Sequence, residues 1–139
     1  MTKEPLIVRG GTMVARSLEA ALMESAKAGR YQLSVQVIPA GDLGAQQEVW
    51  QILVHKQACW STPSLVEAAG FRLVHSPDDD MGEHHYDLLH PASPGEVELA
   101  TVVRDYQGVF YGPGPPRSVN CDWTAEDLRR LQQPDQTES

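Results

Sequence analysis

This chain is short of the features that mark a class outright. It has 2 cysteines in 139 residues, and Cys59 and Cys121 make neither a disulfide framework nor a zinc knuckle. Cys59, between Ala58 and Trp60, reads as a buried thiol. No run approaches the roughly 18 apolar residues of a membrane span. The opening MTKEPLIVRGG lacks the long apolar segment of a secretory signal, so a cytoplasmic location is the expectation. Basic residues are few, 11 Lys and Arg against 19 Asp and Glu, for a net charge of −8. That balance argues against broad affinity for nucleic-acid backbone, which needs a basic face to displace counterions. It suits a basic protein partner, or simple solubility. No nucleophile elbow, P-loop or dinucleotide fingerprint is present, and there is no internal repeat.

What is there is enough for one core. A 139-residue chain with 41% hydrophobic residues predicts a single domain that buries most of its surface. The expected division is an α+β domain over residues 1–112. A Pro/Gly-rich linker and a short C-terminal helix with a disordered end follow over residues 113–139.

Leu6–Val8 reads as a strand stopping at Arg9-Gly10-Gly11. Thr12 is placed to cap a helix over about Met13–Ala28, ended by Gly29. Tyr31–Pro39 alternates cleanly, with Leu33, Val35 and Val37 on one face and Gln32, Ser34 and Gln36 on the other. Asp42 caps a second helix over about Leu43–Lys56. Ala58–Ser61 reads as a short strand. Thr62 as N-cap, Pro63 at the first helical position and Gly70 as the stop define a compact helix. Phe71–His75 and His84–Leu89 form a hairpin around an acidic connection, and Glu96–Phe110 carries helical spacing. Tyr111–Pro116 reads as an extended linker, and Thr124 caps a last helix over about Ala125–Gln133. This helix either docks through Trp123, Leu128 and Leu131 or frays, and Gln132–Ser139 reads as disordered. The order β-α-β-α-(β)-α-β-β-α plus a C-terminal arm predicts an α+β fold, one mixed sheet with helices packed on it.

Candidate chemistry centres on the hairpin. His75, His84 and His85, with Asp78–Asp80 and Glu83, are ligand types for a first-row metal. Adjacent histidines on a strand face opposite ways, however, and an acidic loop is ordinarily solvated, so no metal site is assigned. His85 and Tyr86 would supply an acid/base imidazole and an aromatic platform, against the plainer role of a half-exposed histidine beside a core tyrosine. Arg9 would clamp a phosphate or carboxylate, with Gly10 letting a ligand approach the backbone. Ser34, on the polar strand face, and Thr62, at a helix N-terminus, would line the same cleft, although capping is the simpler role for Thr62. If the strand carrying His85 and Tyr86 neighbours the first strand, both sit beside Arg9.

The blocks Val8-Arg9-Gly10-Gly11, Leu33-Ser34-Val35, Ser61-Thr62, Glu67-Ala68-Ala69-Gly70-Phe71 and His85-Tyr86 resemble those of small, mostly uncharacterised bacterial proteins common in actinobacteria. The longer acidic connection Pro77–Glu83 departs from that pattern. The placing of Arg9 on an early strand, with Ser34 and Tyr86 on later ones, is also similar to small ADP-ribosyltransferase-like toxins. That resemblance implies a split sheet, an arginine on the NAD phosphates and an aromatic ring on the nicotinamide. The late catalytic glutamate it implies is not identifiable, since Glu83, Glu96 and Glu98 lack a diagnostic context.

Two functional expectations follow. The first is a small intracellular toxin-type protein acting on NAD or a nucleotide-bearing substrate through Arg9, Gly10, Ser34, Thr62, His85 and Tyr86. The second is a non-enzymatic acidic module, an immunity protein or antitoxin, that covers a basic partner with Asp78, Asp79 and Asp80. No firm cofactor is implied beyond NAD as a substrate.

Overall fold

A computed structural model describes residues 3–53, 57–114 and 121–134. Eleven elements follow one another among them: β1 (Leu6–Gly10), α1 (Ala15–Ala26), β2 (Gln32–Ile38), α2 (Leu43–Ile52), β3 (Ala58–Ser61), α3 (Pro63–Ala68), β4 (Arg72–His75), β5 (His85–Leu89), α4 (Leu99–Gln107), β6 (Tyr111–Gly114) and α5 (Ala125–Arg129). The six strands form one sheet in the order β4-β5-β2-β1-β3-β6. The expected α+β fold, a single sheet with helices packed on it, is therefore present.

Every ladder in the sheet is antiparallel, so it is not a mixed sheet. The physical reason lies in where β1 sits. The helical crossover from β2 through α2 to β3 returns the chain in the same direction, as such crossovers do. But β1 is inserted between β2 and β3 and runs against both, so the two like-directed strands never pair.

Strand alternation gives each face its own core. Ile7, Leu33, Val35, Cys59 and Leu88 meet Leu18 and Leu22 of α1, Val66 of α3 and Tyr106 of α4. On the opposite face Leu6, Val8, Ala58 and Trp60 meet Ala45 and Val49 of α2 and Leu128 of α5. Buried tyrosine anchors the first layer: the Tyr106 hydroxyl donates to the Leu88 carbonyl at 2.7 Å. No helix among the described residues is long and apolar enough to cross a membrane.

Helix caps explain several boundaries. Asp42 accepts from the Ala45 amide at 2.9 Å, and Thr62 accepts from the Leu65 amide at 3.4 Å. Thr124 and Asp127 close a reciprocal capping box at α5. Thr12 does not cap α1. Met13 is fully buried and its carbonyl accepts from Gln107 Nε2 at 2.9 Å, so the helix starts only at Ala15. α2 ends at Ile52, with Leu53 already extended, and residues 54–56 lie outside the described residues. α4 is shorter than the spacing predicts, because the chain leaves the helix at Gly108 while Val109 and Phe110 stay in the core.

The C-terminal stretch is built into the sheet. Tyr111–Gly114 is extended, as expected of a linker, but it pairs with β3 as β6. α5 docks through fully buried Leu128, with Trp123 and Leu131 packed against the same cluster. Gln132 and Gln133 are bonded to Gly112 and Gly108, and residues 135–139 lie outside the described residues.

Candidate functional site

The β1–β2 ladder is short. It runs from Leu6↔Ile38 to Val8↔Gln36 and stops. β1 goes on pairing with β3 as far as Gly10↔Ala58, and β2 goes on pairing with β5 as far as Gln32↔Leu89. The two central strands therefore part company while each keeps its outer partner. Gly11, with φ +90°, helps turn β1 away, a conformation glycine adopts at little steric cost. The gap holds a cavity of ≈ 210 Å³ lined by Val8, Arg9, Gly10, Ser34, Val35, Gln36, Leu53 and Met81. Arg9, Gly10 and Ser34, three of the residues singled out from sequence, thus line one space.

Arg9 is half-buried, and its Nη1 donates to the Gly10 carbonyl at 3.2 Å. Among the described residues it has no carboxylate partner. Loss of water lowers its pKa from the ordinary arginine value. A guanidinium is nonetheless charged at neutral pH, so the cavity borders a cation whose remaining N–H groups are poorly hydrated. Burial likewise pushes the thiol of Cys59, in the core beside Arg9, up to about 12, which keeps it neutral and not a nucleophile.

Gln36 forms part of the lining from the β2 side and is 1% exposed. Its Nε2 donates to the Met81 carbonyl at 3.0 Å. Its Oε1 is buried and has no hydrogen-bond partner among the described residues. An unpaired buried acceptor costs about 1–3 kcal/mol, so its persistence asks for an explanation.

Register extends the polar face beyond the cavity. Gln36 lies opposite His85, and Ser34 lies opposite Asp87. His85 is 6% exposed and Asp87 9%. His85 Nδ1 is 2.6 Å from the Ser76 carbonyl. A carbonyl only accepts, so Nδ1 carries the proton and Nε2 is the acceptor of the neutral ring. The Asp87 side chain has no hydrogen bond or ion pair among the described residues.

The remaining candidates lie elsewhere. Tyr86 is on the opposite face from His85 and stacks on His75, with ring centroids 4.7 Å apart. The two therefore do not converge as an acid/base and stacking pair. Nor is their strand next to β1, since β2 lies between them. Thr62 is buried at the start of α3 and is occupied as a cap. Asp78 Oδ1 accepts from the Asp80 and Met81 amides, closing its own turn, while Asp79 and Asp80 are exposed. His75, His84 and His85 do not gather round one point. Instead Glu48, Glu83 and His84 bring three possible metal-ligand atoms within 4.8 Å of one another. Glu48 and Glu83 are 60% and 75% exposed, and their carboxylates lie at the surface 3.2 and 3.7 Å from His84 Nε2.

The sequence reading missed Gln36 and Asp87 as site residues. Alternation along QLSVQVI and HYDLL puts Gln36 beside Ser34 and Asp87 beside His85, so the parity signal was there. No local signal says that β2 and β5 are neighbours, and only that adjacency gathers the four. No protein-family profile, curated protein or solved structure matches this chain.

Proposed function

We propose that this protein binds a nucleotide-bearing small molecule by its phosphate at the gap between β1 and β2. One observation carries the reading: a partly desolvated guanidinium, Arg9, without a carboxylate partner among the described residues, borders a cavity shared with Gly10 and Ser34. Guanidinium N–H groups, backbone at a glycine and a hydroxyl are the donors that phosphate oxygens take. At ≈ 210 Å³ the cavity falls below the roughly 300–1,000 Å³ of pockets that enclose a whole drug-sized ligand. It therefore encloses one group of the molecule and leaves the rest on the surface. This is the toxin-type expectation in narrower form, with NAD among the substrates to test and with Tyr86 and Thr62 outside the site.

The reading is tested by titrating the full chain with NAD, ADP-ribose, AMP and ATP, followed by chemical shifts. Binding of at least one, weakened tenfold or more by Arg9→Ala at unchanged melting temperature, supports it. Absence of binding by every phosphate-bearing compound overturns it.

A second reading, the acidic binding module, draws on a different observation: Asp79 and Asp80 are exposed on a turn that Asp78 holds closed. Co-purification with a basic protein, lost when Asp79 and Asp80 become Asn, would favour this reading. Growth arrest on expression, lost in Arg9→Ala, would favour the first.

A further inference from the structure

We propose that Glu48, Glu83 and His84 hold a divalent transition-metal ion, zinc being the best match, beside a second cavity that its open side can serve. This stands apart from the phosphate reading and uses none of its residues. The donors come from two segments that meet only in the fold: Glu48 from α2, and Glu83 and His84 from the end of the connection between β4 and β5. One ligand atom from each lies within 4.8 Å of the others. His84 Nε2 is 3.2 Å from Glu48 Oε2 and 3.7 Å from Glu83 Oε1. Bonds of about 2.0–2.2 Å to a tetrahedral zinc put neighbouring ligand atoms about 3.3–3.6 Å apart. The two observed separations straddle that spacing, and both glutamate side chains are exposed enough to adjust.

A hydrogen bond is the plainer use of these atoms, but it serves only one carboxylate. Nε2 carries at most one proton, and Glu48 is the partner within bonding distance. No Lys or Arg among the described residues pairs with either glutamate. Two like charges are thus gathered round one nitrogen, in a chain of net charge −8. A divalent cation answers both carboxylates and the imidazole at once. The backbone holds the donors in place. The Val37 amide donates to the His84 carbonyl at 2.9 Å, and His75 Nε2 donates to the Glu83 carbonyl at 2.7 Å. Fully buried Val49 seats the turn of α2 that carries Glu48. Three protein ligands leave a fourth position for water or a further molecule. Glu83 and His84 also line a cavity of ≈ 310 Å³ with His75 and Tyr86, so that molecule has a space to occupy. A set that mixes imidazole with carboxylate suits zinc and its first-row neighbours, whereas magnesium and calcium take oxygen ligands.

Calorimetric titration of the full chain with zinc chloride and with magnesium chloride tests the proposal, with the His84 ring followed by chemical shift. Wild type should bind zinc with a shift of the His84 ring signals, and should bind magnesium about a hundredfold or more weakly. Glu48→Gln and Glu83→Gln keep the side-chain shape at exposed positions. Each should weaken zinc binding about tenfold or more at unchanged melting temperature. Glu67→Gln, an exposed carboxylate on α3, should leave it as in wild type. Absence of zinc binding overturns the proposal, as does zinc binding that leaves the His84 ring unmoved. Equal affinity for zinc and magnesium overturns it too, and so does full zinc affinity in both Glu48→Gln and Glu83→Gln. A loss in Glu67→Gln as large as in those two would mean attraction to an acidic surface and no built site. The phosphate reading stands or falls separately, on Arg9.

Discussion

Gln36 faces His85 across the β2–β5 ladder, and each side chain holds one end of the same connection. Gln36 Nε2 donates to the Met81 carbonyl at 3.0 Å, and His85 Nδ1 donates to the Ser76 carbonyl at 2.6 Å. The acidic connection between β4 and β5 is thus tied to the sheet from beneath at two points. Its exposed aspartates ride on a support that also lines the cavity, which links the two candidate surfaces physically.

Thr62 tests the separation of cap from site. Thr62→Ala removes the oxygen that accepts from the Leu65 amide and should cost about 0.5–2 kcal/mol of stability. Phosphate-ester binding should not change. Urea unfolding and the titration above measure the two effects independently, and a loss of binding at unchanged stability would return Thr62 to the site.

Gly112 should tolerate a side chain far less well than Gly29. A Cβ there would lie 2.8 Å from Trp60 Cζ3 and 3.0 Å from the Ala58 carbonyl, at φ +99°. Overpacking and left-handed strain together predict a loss of about 2–5 kcal/mol for Gly112→Ala. Gly29→Ala, at φ +88° with nothing within 4 Å, carries only the backbone term and should cost about 1–2 kcal/mol. Chemical denaturation of the pair gives the contrast directly.

The fold was largely legible because its signals are local. Alternation in QLSVQVI, the cap pairs Asp42 and Thr62 with their helices, and the Pro63–Gly70 bracket each act over a few residues. What escaped is what depends on distant partners. Tyr111–Gly114 contains two glycines and a proline, and its strand character comes from pairing with β3, not from propensity. The antiparallel character of the sheet depends on β1 standing between β2 and β3. Of the site, Arg9, Gly10 and Ser34 were legible as polar or glycine positions at strand ends. Gln36 was visible only as a polar strand residue, because its unpaired oxygen is a property of the packed structure.

Cys59 predicts an alkaline limit. Its thiol is pushed from the ordinary 9.0 to about 12 in the folded chain, first by burial. A raised folded value means the contribution to stability is intact below about pH 9 and is lost as pH rises through 9 toward 12. Unfolding midpoints should fall over that window in wild type and fall less in Cys59→Ala. At pH 8 the thiol should resist iodoacetamide until the chain unfolds.

Asp127 predicts an acid limit confined to the C-terminal helix. The Thr124 amide holds its carboxyl below the ordinary 3.8, with the Thr124 hydroxyl and Arg130 adding to the effect. A lowered folded value gives stability that is present above about pH 3.8 and is lost as pH falls below it. Trp123, packed beside α5, should report the loosening by fluorescence, and Asp127→Asn should show it already at neutral pH.

The two borders of the sheet are not alike. Along β6 the Gly112 amide is taken by the Gln132 carbonyl and Pro113 has no donor to offer, while among the described residues β4 has a ladder only to β5. A strand added edge to edge therefore has a landing place on one border and a blocked one on the other. The C-terminal segment thus leaves β6 a poorer template for an added strand than β4.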